Sequence, residues 1–271
     1  MSTHMSARHD HNYPTVVQLG HEMAPGMPHP PVHAPFSIKL TMAHDWTPSR
    51  ESRFTGTADS VEVGTHVGTH IDSVYHIGCE NLLHGGVRVG DATVHQSPSQ
   101  GLTIDGHENF APIVAPGLLL DFAAFLGVER CPDDLEIGAA EIDECLAWSG
   151  LGLEPGAVVL IRTGWDRVWL EESSRFISVP MPGVNLDGAQ RLRAAEATAV
   201  GSDTFAFEKI PLANNLAPHA ELLVNGGIPI FECLNFTDLV AIEARRFLFV
   251  CAPLRMRGAT GSPVNPLALI R

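Results

Sequence analysis

The sequence predicts one domain of α/β layer architecture, and three observations carry that prediction. The chain has 271 residues, 45% of them hydrophobic and 18% charged. A chain of that length buries about three quarters of its unfolded surface, so its core needs no disulfide or metal staple. Strand-like and helix-like patterns alternate through the second half, as they do where helices cover a sheet. No repeat, low-complexity block or long linker divides the chain.

In chain order, the first half reads as irregular and β-rich. Residues 20–36 hold His21, His29 and His33 among five prolines. Proline denies a helix its backbone donors, so this segment is expected to lie extended over something else. Residues 57–63 alternate polar and apolar side chains, the pattern of a half-buried strand. Residues 117–121 form a short buried strand. Residues 139–148 place Ile142 and Leu146 at helical spacing, with Gly150 as the stop. A strand over 157–163 ends at Gly164. Residues 186–197 form an amphipathic helix with Leu186, Ala189 and Leu192 on one face, and 199–203 are a strand end. Residues 221–224 finish a short helix closed by Gly226 and Gly227. Residues 228–231 and 246–251 are strands.

Composition removes several function classes. Thirty-one acidic residues face 17 basic ones for a net charge of −14, and the only lysines are Lys39 and Lys209. A nucleic-acid partner is not expected, because it requires a basic footprint that displaces phosphate counterions. No run of ~18 apolar residues is present, so neither a transmembrane helix nor a membrane partner is expected. The polar first eleven residues lack the apolar core of a signal peptide, which makes a cytoplasmic location the expectation. Residues 1–15 read as a disordered tail before a domain spanning 16–271. Cys79, Cys131, Cys145, Cys233 and Cys251 contain no C-x-x-C pair and read as reduced, mostly buried thiols. Neither a G-x-S-x-G elbow nor a G-x-x-x-x-G-K-[ST] loop occurs, and the glycine-rich residues 150–156 precede a strand. A serine hydrolase and a nucleotide enzyme are therefore disfavoured.

The chemistry concentrates in histidine. There are 14, and His66-Val-Gly-Thr-His70-Ile-Asp72-Ser-Val-Tyr-His76 puts three imidazoles and a carboxylate into one short run. Such nitrogen and oxygen donors suit zinc, manganese, iron or nickel. On a helix Asp72 would point away from the face of His66 and His70, and Gly64 and Gly68 weigh against a helix. On a straight strand the residues share a face, yet His66 and His70 would stand about 13 Å apart. A bend at Gly68, which tolerates backbone angles other residues avoid, could bring His66, His70 and Asp72 together. A histidine-rich surface loop is the bland alternative.

This run resembles the H-x-G-T-H-x-D-x-P-x-H signature of the metal-dependent cyclase-like amidohydrolases, which include kynurenine formamidases and isatin hydrolases. Val74 stands where the family has proline. The resemblance extends to Gly26-Met-Pro28, similar to the family's substrate-covering segment. It extends further to Asn215-Leu-Ala-Pro-His219, to Gly227-Ile-Pro-Ile-Phe-Glu232, and to the C-terminal loop Gly258-Ala-Thr-Gly-Ser-Pro263. It implies a single-domain swivelling β/β/α (cyclase-like) fold with a mixed β core and flanking helices. It also implies His66, His70, Asp72, His219 and Glu232 as ligands for one or two Mn2+ or Zn2+ ions, and His76 as catalytic acid/base. His29 falls near a substrate-contacting position usually held by an aromatic residue. A homodimer or homotetramer acting on a small-molecule substrate is implied as well. Glu232 also follows an apolar strand, where an ionised side chain is costly unless paired or metal-bound. Asp203 could orient a ligand histidine or simply cap a turn. Cys233 reads as a packed thiol, and Arg162 and Trp165 as structural.

The implied activity is hydrolysis of a small amide, lactam or lactone by a metal-activated water, with His76 moving the proton. The long stretch between Ser97 and Gly156 leans toward the isatin-hydrolase-like branch. Two rivals stay open: a non-haem iron oxygenase with two histidines and one carboxylate, and a binding protein that holds metal without turnover.

Overall fold

A strand apolar on both faces belongs in the middle of a covered sheet, and Val158–Arg162, buried throughout, takes that place. The computed structural model describes residues 15–45, 54–90, 96–97, 101–104, 106–169, 173–211 and 216–271. The strands are β1 (Thr15–Gln18), β2 (Ser37–Met42), β3 (Ala58–Glu62), β4 (His70–Asp72), β5 (Gln96–Ser97), β6 (Gly101–Leu102), β7 (Ile113–Asp121) and β8 (Glu136–Ile137). After them come β9 (Val158–Arg162), β10 (Gly183–Val184), β11 (Ala199–Ser202), β12 (Ile230–Glu232), β13 (Arg246–Cys251), β14 (Gly261–Pro263) and β15 (Leu267–Ile270). The helices are α1 (Phe122–Phe125), α2 (Ala139–Ser149), α3 (Ser173–Phe176), α4 (Leu186–Ala194), α5 (Ala217–His219) and α6 (Thr237–Ala241), with a π-helical turn over Ala220–Gly226 directly after α5.

Nine strands form one curled mixed sheet in the order β1-β15-β13-β7-β9-β11-β12-β4-β14. Its centre, β7-β9-β11-β12, is parallel, and the flanking pairs are antiparallel. Strand alternation splits the core between the two faces. Val159 and Ile161 pack with Ile142 and Leu146 of α2 and Leu192 of α4. Val158 and Leu160 pack on the opposite face with Phe231, Phe236 and Phe249. The architecture is the single mixed α/β domain that the sequence predicts. No helix among the described residues is long and apolar enough to cross a membrane.

Three expected elements need correction. The strand at 57–63 is not half-buried: β3 pairs only with β2, and every residue of both is exposed. Its alternation instead makes a two-faced arm with Ile38, paired to Val61, and Leu40 on one face. The expected helix over 186–197 stops at Ala194, and Leu186 is 37% exposed at its first position, so Gly188, Ala189 and Leu192 form the buried face. The buried strand at 117–121 is the second half of β7; its first half buries Ile113 and Ala115 and exposes Val114 and Pro116. Residues 1–14 of the expected tail lie outside the described residues, and β1 begins at Thr15. Four of the five cysteines are buried and all are free.

Open α/β sheets build their sites outside the carboxyl ends of the parallel strands, and this chain does so. Asp203, just past β11, accepts the backbone N–H of Thr163 at 2.9 Å, of Gly164 at 2.7 Å and of Trp165 at 3.0 Å, and the Thr163 hydroxyl at 2.8 Å. It plays the turn-capping role and pins the ends of β9 and β11 together.

Candidate metal centre

Alternate residues of a strand share a face, so β4 presents His70 and Asp72 together. Antiparallel β12 sets Glu232 directly across from His70 and Ile230 across from Asp72. Register alone thus gathers an imidazole and two carboxylates. Gly68, at φ +73°, turns the chain back before β4. The turn delivers His66, whose Nδ1 lies 2.6 Å from Asp72 Oδ1. On the other side of β4, β14 lays Gly261 across from Asp72. A Cβ at Gly261 would stand 2.5 Å from the His66 ring, so only glycine leaves that ring its place. The Thr260 hydroxyl lies 2.9 Å from His66 Nε2. His219 enters at the junction of α5 and the π-helical turn, a backbone irregularity that recurs at functional sites.

Each ring is oriented by the hydrogen bond on its far nitrogen. His70 Nδ1–H donates to the Gly68 carbonyl at 2.8 Å. This leaves His70 Nε2 3.4 Å from Asp72 Oδ1 and 3.3 Å from Glu232 Oε2. His219 Nδ1–H donates to Glu208, and its Nε2 lies 3.5 Å from Asp72 Oδ2 and 3.2 Å from Glu232 Oε1. Glu232 Oε1 also accepts the Phe207 N–H at 2.9 Å. Two triads able to hold a metal ion result, His66–Asp72–His76 and His70–Asp72–Glu232, with Asp72 common to both. Asp72 is 1% exposed, yet its Oδ2 has no hydrogen-bond partner. A buried carboxylate oxygen left unpaired is costly, and a cation among these donors would satisfy it. The donor set, imidazole nitrogen with carboxylate oxygen, fits zinc or manganese.

The electrostatics have the same origin. Burial opposes the charge on Asp72, but the imidazoles of His76, His219, His66 and His70 around it outweigh it and hold the carboxyl well below its ordinary range. For Glu232, hydrogen bonds from His219 and His70 overcome burial and bring it to about 2. Burial likewise opposes the charged forms of His70 and His219. The carboxylates beside them win, and both imidazoles are raised well above 6.5. Without a cation the cluster therefore draws in protons.

The other expected residues divide. His76 stacks on His66, with ring centroids 3.9 Å apart, and burial brings it down to about 4. Its backbone N–H donates to the Ser73 carbonyl at 2.9 Å, so the turn closes although Val74 replaces proline. His29 is half-buried, and its Nδ1 lies 3.1 Å from the Pro30 carbonyl. His33 of the same segment comes close, 5.5 Å from the His66 ring. That segment lies over the site, as expected, with Met23 and Met27 against Gly68. Cys233 is a packed thiol, and Trp165 is fully buried; Arg162 pairs with Asp121 at 2.7 Å. Asn215 lies outside the described residues. Sequence reasoning missed Glu208, Thr260 and His33. Thr260 was within reach, since it lies in the Gly258–Pro263 loop already singled out, whereas Glu208 carries no local signal.

The fold is a curled mixed sheet, and its strand ends hold a buried cluster of imidazoles and carboxylates. The sequence model of the cyclase family matches residues 17–209, and the chain belongs to that family. Its structure is similar to the crystal structure of a novel cyclase, 26% identical, with a TM-score of 0.85 over 94% of this chain and 87% of that one. It is also similar to isatin hydrolase A from Ralstonia solanacearum, at 21% identity and a TM-score of 0.70 over 95% of this chain and 92% of that one. A predicted metal-dependent hydrolase from Bacillus stearothermophilus, 20% identical, matches with a TM-score of 0.63 over 95% of this chain and 98% of that one. A comparison with curated proteins finds no match.

Proposed function

We propose that the chain is a metal-dependent hydrolase that opens a small amide, lactam or lactone. In this proposal His66, His70, Asp72, His219 and Glu232 hold one or two divalent ions, and His76 handles the proton. The observation that carries it is Asp72, buried at the common corner of two ligand triads with one oxygen unpaired. A divalent ion there would lower the pKa of a bound water from ~15.7 to about 7 and polarise the substrate carbonyl.

The residues of the chain supply the rest. An amide nitrogen leaves poorly without a proton. His76, kept in its neutral form by burial, can take a proton from water and return it to that nitrogen. Beside it a cavity of about 390 Å3 is lined by Tyr75, His76, Asn81, Leu83, Leu102 and Thr260, among others. That volume is within the ~300–1,000 Å3 of small-molecule sites. The similarity in fold to isatin hydrolase A favours a lactam among the candidate substrates. An iron oxygenase with two histidines and one carboxylate would leave Glu232 unexplained, although it faces the same two Nε2 atoms as Asp72.

The test is a panel of formamides, isatin and small lactones, assayed on protein stripped with EDTA and reloaded with Mn2+ or Zn2+. Hydrolysis should appear only in the reloaded protein. Full activity in the stripped protein, or metal binding with no hydrolysis across the panel, would overturn the proposal.

A further inference from the structure

The His66–Asp72–His76 triad, and the His70–Asp72–Glu232 triad with His219 beside it, are held from behind in different ways. Behind His66 Nε2 stands only a neutral hydroxyl, that of Thr260, at 2.9 Å. Behind His219 Nδ1 stands a carboxylate, Glu208, itself 2% exposed. The backbone of Glu208 is fixed. Phe207 and Lys209 on either side bond to Val184 of β10, and a Cβ on Gly183 would stand 2.4 Å from the Glu208 carbonyl carbon. Glu208 therefore has little freedom to leave His219. A carboxylate that accepts Nδ1–H fixes the tautomer that aims the Nε2 lone pair at Asp72 and Glu232, and it raises the basicity of that lone pair. The charge count is unequal too. Asp72, Glu232 and Glu208 surround the His70–His219 half, whereas Asp72 is the one carboxylate among His66, His76 and Thr260.

Resting on the metal-dependent reading above, we infer that Glu208 is the positioning residue of this centre and makes the His70–Asp72–His219–Glu232 half its tighter half. The first equivalent of metal enters there, and a second, where one binds, is held more weakly beside His66.

Calorimetric titration of Mn2+ and of Zn2+ into EDTA-stripped protein tests this in the wild type and in Glu208→Gln, Glu208→Asp and Thr260→Val. Glu208→Gln keeps the bulk and an oxygen that can accept Nδ1–H, so a merely structural role predicts no change. The loss of charge should instead weaken the first equivalent about 10- to 100-fold, with Glu208→Asp recovering part of it. Thr260→Val should leave the first equivalent within about threefold of wild type. First-ion affinity unchanged in Glu208→Gln, or lowered tenfold in Thr260→Val, overturns the inference. The Thr260→Val arm decides even where Glu208→Gln fails to give folded protein by far-UV circular dichroism. Wild-type protein that binds neither ion would sink the metal-dependent reading itself, a result distinguishable from both.

Discussion

Asp72 touches three imidazoles and is the pivot of the site, so the role of each neighbour can be separated by asking what leaves with it. His76 is the ambiguous one. It belongs by distance to the triad with His66 and Asp72, yet it is also the exposed-side imidazole beside the cavity. As acid/base it should be dispensable for the ion and not for turnover. His76→Ala should then lower kcat by about 10²- to 10⁴-fold with metal content, measured by elemental analysis, unchanged. Metal lost in that variant would make His76 a ligand instead. At this scale the sequence was informative wherever donors are close along the chain. The run from His66 to His76 is legible because bend, ligands and acid/base all lie within it. Glu208 was not legible, because nothing local distinguishes it from a surface glutamate; only the approach of α5 to β10 gives it His219 as a partner.

Elements bring the distant donors together, and here two pairings decide. The β4–β12 register puts Glu232 opposite His70, and the β4–β14 register puts Gly261 opposite Asp72. Both strands were readable as short apolar or loop segments, but pairing between residues some 160 to 190 positions apart leaves no trace in either segment. Gly261→Ala should show how much the second register matters. Its methyl would meet the His66 ring at 2.5 Å, and overpacking of this kind costs about 1–3 kcal/mol. The variant should lose about tenfold or more in activity while Gly152→Ala, with open space around it, stays at wild type. Equal activity in the two variants would show that His66 is free to move aside. The other tie between elements is Asp203. Asp203→Ala would orphan the buried Thr163 and Gly164 N–H groups at the end of β9, each worth about 1 kcal/mol or more, and leave the Trp165 N–H only the Thr163 hydroxyl oxygen at 3.3 Å. Its unfolding free energy in urea should fall by about 2 kcal/mol, and a loss below about 1 kcal/mol would mean that water replaces the carboxylate. The helix over 186–197 and the arm at 57–63 were misjudged for a related reason: periodicity reports which side chains share a face, not whether another element covers it.

At the scale of the molecule, the buried histidines make stability depend on pH in opposite directions, and the metal-free protein should show both. Burial brings His21, His76 and His107 down to about 4 from an ordinary 6.5. Between those values the unfolded chain takes up protons that the folded chain refuses, so stability falls as pH drops from 6.5 toward 4. Asp72 and Glu232 are depressed, and they add to the loss as pH falls below their ordinary values of 3.8 and 4.5. His70 and His219 act the other way. Their folded values are raised above 6.5, so their contribution is complete below 6.5 and is lost as pH rises through the raised values. Asp203, which burial raises from 3.8 to about 7, also loses its contribution as pH rises between those values, and so offsets one of the three histidines on the acid side. Stripped protein should therefore have its highest urea midpoint near pH 6.5 and decline on both sides. A bound cation would stand in for the two protons on His70 and His219. Metal binding should accordingly release protons and tighten as pH rises. Saturating Mn2+ or Zn2+ should thus abolish the alkaline decline and leave the acid limb, where His21 and His107 titrate. A midpoint in EDTA that climbs steadily from pH 6.5 to 9 would show that protons do not substitute for a cation in this cluster.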